Sequence, residues 1–164
     1  MGVSTDGLLF YGVTIDSAEG SYNVLSRLRR GGDEGDDDEE DEEVLAAAYG
    51  YVEPASGSDA LWEAYQADRD SAEKLEAWRT ARRAEQALKD SLVPVEVIQY
   101  CSNEYPMHAL AVKGGSYSVA RGSVERLGQS LVADPEWREV LRDACERLGI
   151  PFEEPEWLLA SYWG

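Results

Sequence analysis

Residues 95–120 read VEVIQYCSNEYPMHALAVKGGSYSVA, and this stretch sets the fold class. Val95 to Tyr100 and Met107 to Val112 are strand-like runs, rich in β-branched and aromatic residues. The polar segment Cys101-Ser102-Asn103-Glu104-Tyr105-Pro106 between them reads as a hairpin loop. Lys113-Gly114-Gly115 reads as a tighter turn into Ser116 to Ala120, which predicts a three-stranded meander. Upstream, Leu8 to Ile15 is apolar enough to be a strand buried on both faces, and Gly12 within it predicts a bulge or a close backbone approach. Ser21 to Arg30 fits a short helix or a second strand equally well.

The elements around the meander read as helices. Asp59 to Leu92 is rich in Ala, Glu, Arg and Leu and lacks Gly and Pro. Asp70-Ser71-Ala72-Glu73 resembles a capping box, so two helices are expected, joined near Asp70. Asp134 is placed as an N-cap, Pro135 as the first helical residue and Gly149 as the terminator. Between them Trp137, Val140, Leu141, Ala144 and Leu148 make one apolar face. Ser123 to Leu131 is expected as a further short helix, and the apolar tail Trp157 to Trp163 is expected to dock on the core. The whole predicts one α+β domain over residues 1–164. A small antiparallel sheet, the meander plus the first strand, is covered by the Asp59 to Leu92 and Pro135 to Leu148 helices.

The formal charge is −18, and a single run supplies ten of the carboxylates: Asp33, Glu34, Asp36, Asp37, Asp38, Glu39, Glu40, Asp41, Glu42 and Glu43. Neighbouring carboxylates repel, so residues 31–43 are expected to be an extended, mobile insert. Such a charge opposes direct nucleic-acid binding and anionic membranes, despite local basic clusters at Arg27, Arg29, Arg30 and at Arg79, Arg82, Arg83. No apolar run approaches the ~20 residues of a membrane helix. Met1 to Tyr11 lacks the basic region and cleavage site of a signal peptide, and Cys101 and Cys145 are too few for a disulfide framework. Cytoplasmic residence is the expectation.

Candidate chemistry is sparse. Cys101 and His108 flank the hairpin and could form a thiolate–imidazole pair, but with a single His and no visible third group a hydrogen-bonded core histidine is the stronger reading. Two cysteines and one histidine at scattered positions lack zinc spacing, and neither a Walker pattern nor G-x-G-x-x-G occurs. An EF-hand alternates its ligands around a glycine, whereas Asp36 onward is an unbroken acidic block. No metal or cofactor is therefore expected. The acidic run itself reads as a solvated insert or as a polyanion that occupies a basic groove on a protein partner.

Three separated segments are similar to a family of small uncharacterised proteins carried by bacteriophages and prophages. They are Val3 to Gly12, Val95 to Tyr105 with its Cys101-Ser102-Asn103-Glu104-Tyr105-Pro106-Met107 centre, and Glu154 to Gly164. The resemblance implies a phage accessory protein acting in a bacterial host cell. It places a shared site where the segments converge, around Asp6, Tyr11, Cys101, Tyr105 and His108. The leading expectation is an acidic interaction protein that blocks a host nucleic-acid-handling defence protein, of anti-CRISPR or anti-restriction type. The alternatives are a small enzyme or ligand-binding protein at the Cys101–His108 hairpin, and a homo-oligomeric phage assembly protein with an apolar patch at Tyr162 and Trp163.

Overall fold

The computed structural model describes residues 5–15, 37–52, 54, 57–102, 106–127 and 131–163. In chain order they form β1 (Thr5–Thr14), α1 (Asp37–Ala48), α2 (Ser58–Gln66), α3 (Ala72–Leu92), β2 (Val95–Cys101), β3 (Pro106–Val119), α4 (Pro135–Leu148) and β4 (Glu156–Trp163). The fold is α+β. Contacts divide it into two compact units: residues 46–93, which hold the α2–α3 pair, and residues 1–45 with 94–164, which hold the sheet and α4.

The four strands close into a barrel in the order β1-β3-β2-β4. β1 is its central element. It pairs antiparallel with β3 from Gly7↔Val119 to Thr14↔Ala109, and with β4 from Thr5↔Trp163 to Gly12↔Glu156. The expected hairpin joins β2 to β3, from Val95↔Val112 to Cys101↔Pro106. A single parallel pair, Cys101↔Tyr162, closes the ring.

The predicted three-stranded meander does not form, because its second and third strands are one. Lys113-Gly114-Gly115 is not a turn, because β3 continues through it. Its pairing with β1 jumps from Phe10↔Ser116 to Gly12↔Ala111, so the surplus residues form a bulge opposite Tyr11. Gly114 takes φ 82°, in the left-handed region, and a Cβ on Gly115 would lie 3.2 Å from the Trp137 ring. A bulge bends and twists a strand, which is what closing so small a barrel requires. Gly12 makes the close approach that the sequence predicts: a Cβ there would stand 2.2 Å from the Leu110 carbonyl oxygen.

Strand alternation gives the sheet two apolar faces. Inside the barrel, Phe10, Ala109 and Ala111 are enclosed by Leu8, Ile98, Tyr100, Leu158 and Ala160. On the other face Tyr11, Val13, Leu110, Val112 and Val95 are buried, and α4 packs over β2 and β3 with Leu141, Ala144, Cys145 and Leu148 buried. The α4 caps follow the sequence reading. Asp134 accepts the Glu136 N–H at 2.9 Å, Pro135 opens the helix, and Gly149 ends it at φ 66° while Ile150 N–H donates to the Cys145 carbonyl. Beyond α4, Arg138 forks onto both Glu154 oxygens (2.5 and 2.9 Å) and, with Arg142, lies over the Phe152 ring. This strap leads directly into β4, so the docked tail predicted from composition is a barrel strand.

Within the helical unit, the expected break near Asp70 falls between Gln66 and Ala72. Ser71 caps α3 by accepting the Lys74 N–H at 3.3 Å. Trp62 and Trp78 hold the two helices together, their ring centroids 4.7 Å apart. Ser58 N–H donates to the Glu85 carboxylate at 2.7 Å.

Two further expectations change. The acidic run is not extended over residues 37–43, which form the first turns of α1. Carboxylates near a helix N-terminus face its positive dipole end, and the Val44-Leu45-Ala46-Ala47-Ala48 that follows is a good helix-forming sequence. Leu45 and Ala46 are buried, which anchors the helix beyond its charged end. Residues 31–36, and the ambiguous Ser21 to Arg30, lie outside the described residues. Ser123 to Leu131 is not a helix over 123–127. Gly122 at φ 78° and the Ser123 N–H to Ala120 carbonyl bond make a turn that leads into irregular chain.

Candidate functional site

Of the five residues expected to converge, the fold brings Asp6 and Cys101 to one place. Both pair with Tyr162: Asp6 from β1 and Cys101 from β2. The rim there is tightly turned, since Cys101 has φ 74°, a strained value for a residue with a Cβ. Ser102, which follows it, is buried. Tyr11 and His108 lie on the opposite face of the sheet from the barrel interior, and both are buried. The reason is parity. Asp6 shares the interior side of β1 with Leu8 and Phe10, whereas Tyr11 points the other way, and His108 alternates with the interior residues Ala109 and Ala111. Tyr105 lies outside the described residues.

Tyr11 is the hub of an aromatic cluster. Its ring sits 5.7 Å from Trp137 of α4 and 5.7 Å from Trp157 of β4, while Tyr117 approaches Trp157 at 6.2 Å. Tilted and edge-on rings at these separations stabilise a core beyond their burial alone. This makes Tyr11 a packing residue that fastens α4 to the barrel. His108 contributes its backbone carbonyl to the Ile15 N–H at 3.0 Å, extending the ladder past the end of β1. Gln99, not Cys101, is the cross-strand partner of His108, so the two halves of the suggested catalytic pair sit only diagonally across the hairpin. The other cysteine, Cys145, is fully enclosed, and burial pushes its thiol up to about 11. It is a small apolar packing group.

Around Asp6 the barrel opens into a cavity of about 350 Å³, to which all four strands contribute; Leu8, Gln99, Ser118 and Tyr162 are among its walls. The Asp6 carboxylate accepts one hydrogen bond there, from the Arg121 backbone N–H at 3.0 Å. A second cavity, about 280 Å³, lies on the outer side of β1 and β4 and is lined by apolar groups including Leu9, Tyr117, Val124 and Leu159. Val124 is 87% and Leu159 80% exposed. Neither cavity is lined by Cys101 or His108.

Sequence reasoning missed Tyr162 and Ser118 as companions of Asp6. The signal for Tyr162 was present: Leu158, Ala160 and Tyr162 alternate with Trp157, Leu159, Ser161 and Trp163, a period of two. Ser118 depends on the β3 bulge and has no local signal.

The acidic residues form a third feature. Asp37, Asp38, Glu39, Glu40, Asp41, Glu42 and Glu43 are consecutive in α1, and Glu42 and Glu43 are exposed; Asp33, Glu34 and Asp36 lie outside the described residues. Among the described residues no cluster of three or more potential metal ligands occurs, and no helix is long and apolar enough to cross a membrane. No family model, curated protein or solved structure matches the chain.

Proposed function

We propose that the protein is a phage-encoded acidic interaction protein that binds a host nucleic-acid-handling protein and blocks its basic groove. The observation that carries this reading is the helical state of Asp37 to Glu43. An α-helix rises ~1.5 Å per residue, so seven successive acids place one charge per ~1.5 Å over about 10 Å of axis. Duplex DNA carries one charge per ~1.7 Å of axis. An extended chain, at ~3.3 Å per residue, would reach only about half that density. The helix therefore imitates the linear charge of a duplex more closely than an extended loop would. Binding of this kind is fast and falls steeply with salt.

The test is displacement of labelled duplex DNA from a host restriction or CRISPR effector complex. Replacing the seven acids by their amides should abolish displacement while the fold persists. Undiminished displacement by the amide variant would sink the reading.

The outer apolar groove favours a second reading, a homo-oligomeric phage assembly protein. Leu159, Val124 and Leu127 expose apolar side chains around one groove, and Trp163 is 42% exposed. A concentration-independent monomer in light scattering would eliminate it.

A further inference from the structure

The mouth of the barrel combines three features that packing alone does not require. The first is Asp6. Its carboxylate offers two oxygens, and its one hydrogen bond comes from the Arg121 backbone N–H. Among the described residues no side-chain cation pairs with it. This carboxylate is half-buried and faces the cavity, where a cation carried by a ligand can reach it. The second is Tyr162, cross-strand partner of Asp6, which places an aromatic ring in the same wall. The third is Leu8, which packs against the Phe10–Ala109–Ala111 core and gives the cavity an apolar floor.

We infer that the barrel mouth is a binding site for an alkyl-ammonium group, with the cation between the Asp6 carboxylate and the Tyr162 ring and the alkyl stem against Leu8. Each component answers one part of such a ligand. A carboxylate satisfies the ammonium hydrogen-bond donors, an aromatic face attracts a cation, and an aliphatic floor takes the methylenes. At about 350 Å³ the cavity holds a chain of four or five carbons with its hydration. Barrel mouths are common ligand positions because every strand can contribute a side chain there. The site is independent of the acidic helix, and direct titration without any protein partner examines it separately.

The experiment follows backbone amide shifts of the ¹⁵N-labelled full chain during titration with n-butylamine, with n-butanol as the neutral control. Saturable shifts centred on Asp6, Leu8, Ser118 and Tyr162 are expected for the amine, at least tenfold tighter than any seen with butanol. The D6N variant should lose them while the rest of its spectrum is retained. Should D6N fail to fold, Tyr162→Leu supplies the second variant, with a severalfold weaker midpoint expected. A lysine-bearing tripeptide with blocked ends distinguishes the source: a midpoint tenfold below that of butylamine assigns a protein lysine, and equal midpoints assign a free amine. Equal response to amine and alcohol, or shifts spread evenly over the acidic surface and unchanged in D6N, would overturn the site.

Discussion

In the barrel unit Phe10, Leu110, Leu141, Val95 and Cys145 are fully enclosed, whereas no residue of the 21-residue helix α3 is buried. The two units are thus stabilised by different physics. The barrel depends on contacts between residues far apart in sequence: Gly12 against Leu110, Tyr11 against Trp137 and Trp157, and Cys101 against Tyr162. The α2–α3 pair depends on the Ser71 cap, helix-forming composition, and contacts between neighbouring helices, the Trp62–Trp78 stack and the Ser58–Glu85 bond. Helix α1 belongs with the second kind at its acidic end, where charge and dipole agree locally. Function built on the barrel should be all-or-none with folding, and function built on a helix end should be adjustable residue by residue.

The largest effect is expected in the barrel, from Gly12→Val. A Cβ would meet the Leu110 carbonyl at 2.2 Å, and backbone cannot move aside as a flexible side chain can. The expected loss is about 3 kcal/mol or more, read from urea denaturation followed by the tryptophans. A midpoint unchanged from the parent would mean that β1 and β3 are not in this register.

A smaller effect is expected from Ser71→Ala, which removes the acceptor for the Lys74 N–H. Its cost is about 1 kcal/mol, confined to the start of α3. Hydrogen exchange should quicken about fivefold at the first α3 amides and stay constant in the barrel strands. Equal acceleration in both units would show that they unfold as one.

The smallest effect concerns the strap into β4. The hydrogen bonds from Arg138 hold the Glu154 carboxyl below the usual carboxylate range. A depressed folded value means stability that is present above the unfolded pKa of ~4.3 and is lost as pH falls through the folded one. The melting temperature of Arg138→Gln should therefore lie slightly below the parent at pH 6 and converge with it toward pH 2. A difference that grows on acidification would contradict the assignment.

The same contrast explains what could be read from sequence. Local devices were legible: Asp134, Pro135 and Gly149 around α4, the break at Ser71, and the β2–β3 hairpin. So was Gly12, since a glycine amid bulky strand residues marks a bulge or a close backbone approach. Barrel closure was not, because Gly114-Gly115 signals a turn and a bulge alike, and only the distant register of β1 decides between them. The helix over Asp37 to Glu43 was hidden because a run of like charges reads as an extended, solvated segment, and the helix-forming Val44 to Ala48 that continues it was read separately. At the candidate site, the nearness of Asp6 to Cys101 was expected, but their shared partner Tyr162 was not. Tyr11 and His108 were grouped with Asp6 although strand parity sends them to the other face.

The central claim is that charge displayed on a helix, and not charge alone, blocks a nucleic-acid groove. Glu42→Pro keeps six of the seven acids of Asp37 to Glu43 but removes a helical hydrogen bond and clashes with the preceding turn. Its ability to displace labelled duplex DNA from the host effector complex should be measured beside Glu42→Gln, which has the same charge with the helix intact. The account predicts that the proline variant is at least tenfold weaker than the glutamine variant. Equal displacement by the two would contradict it.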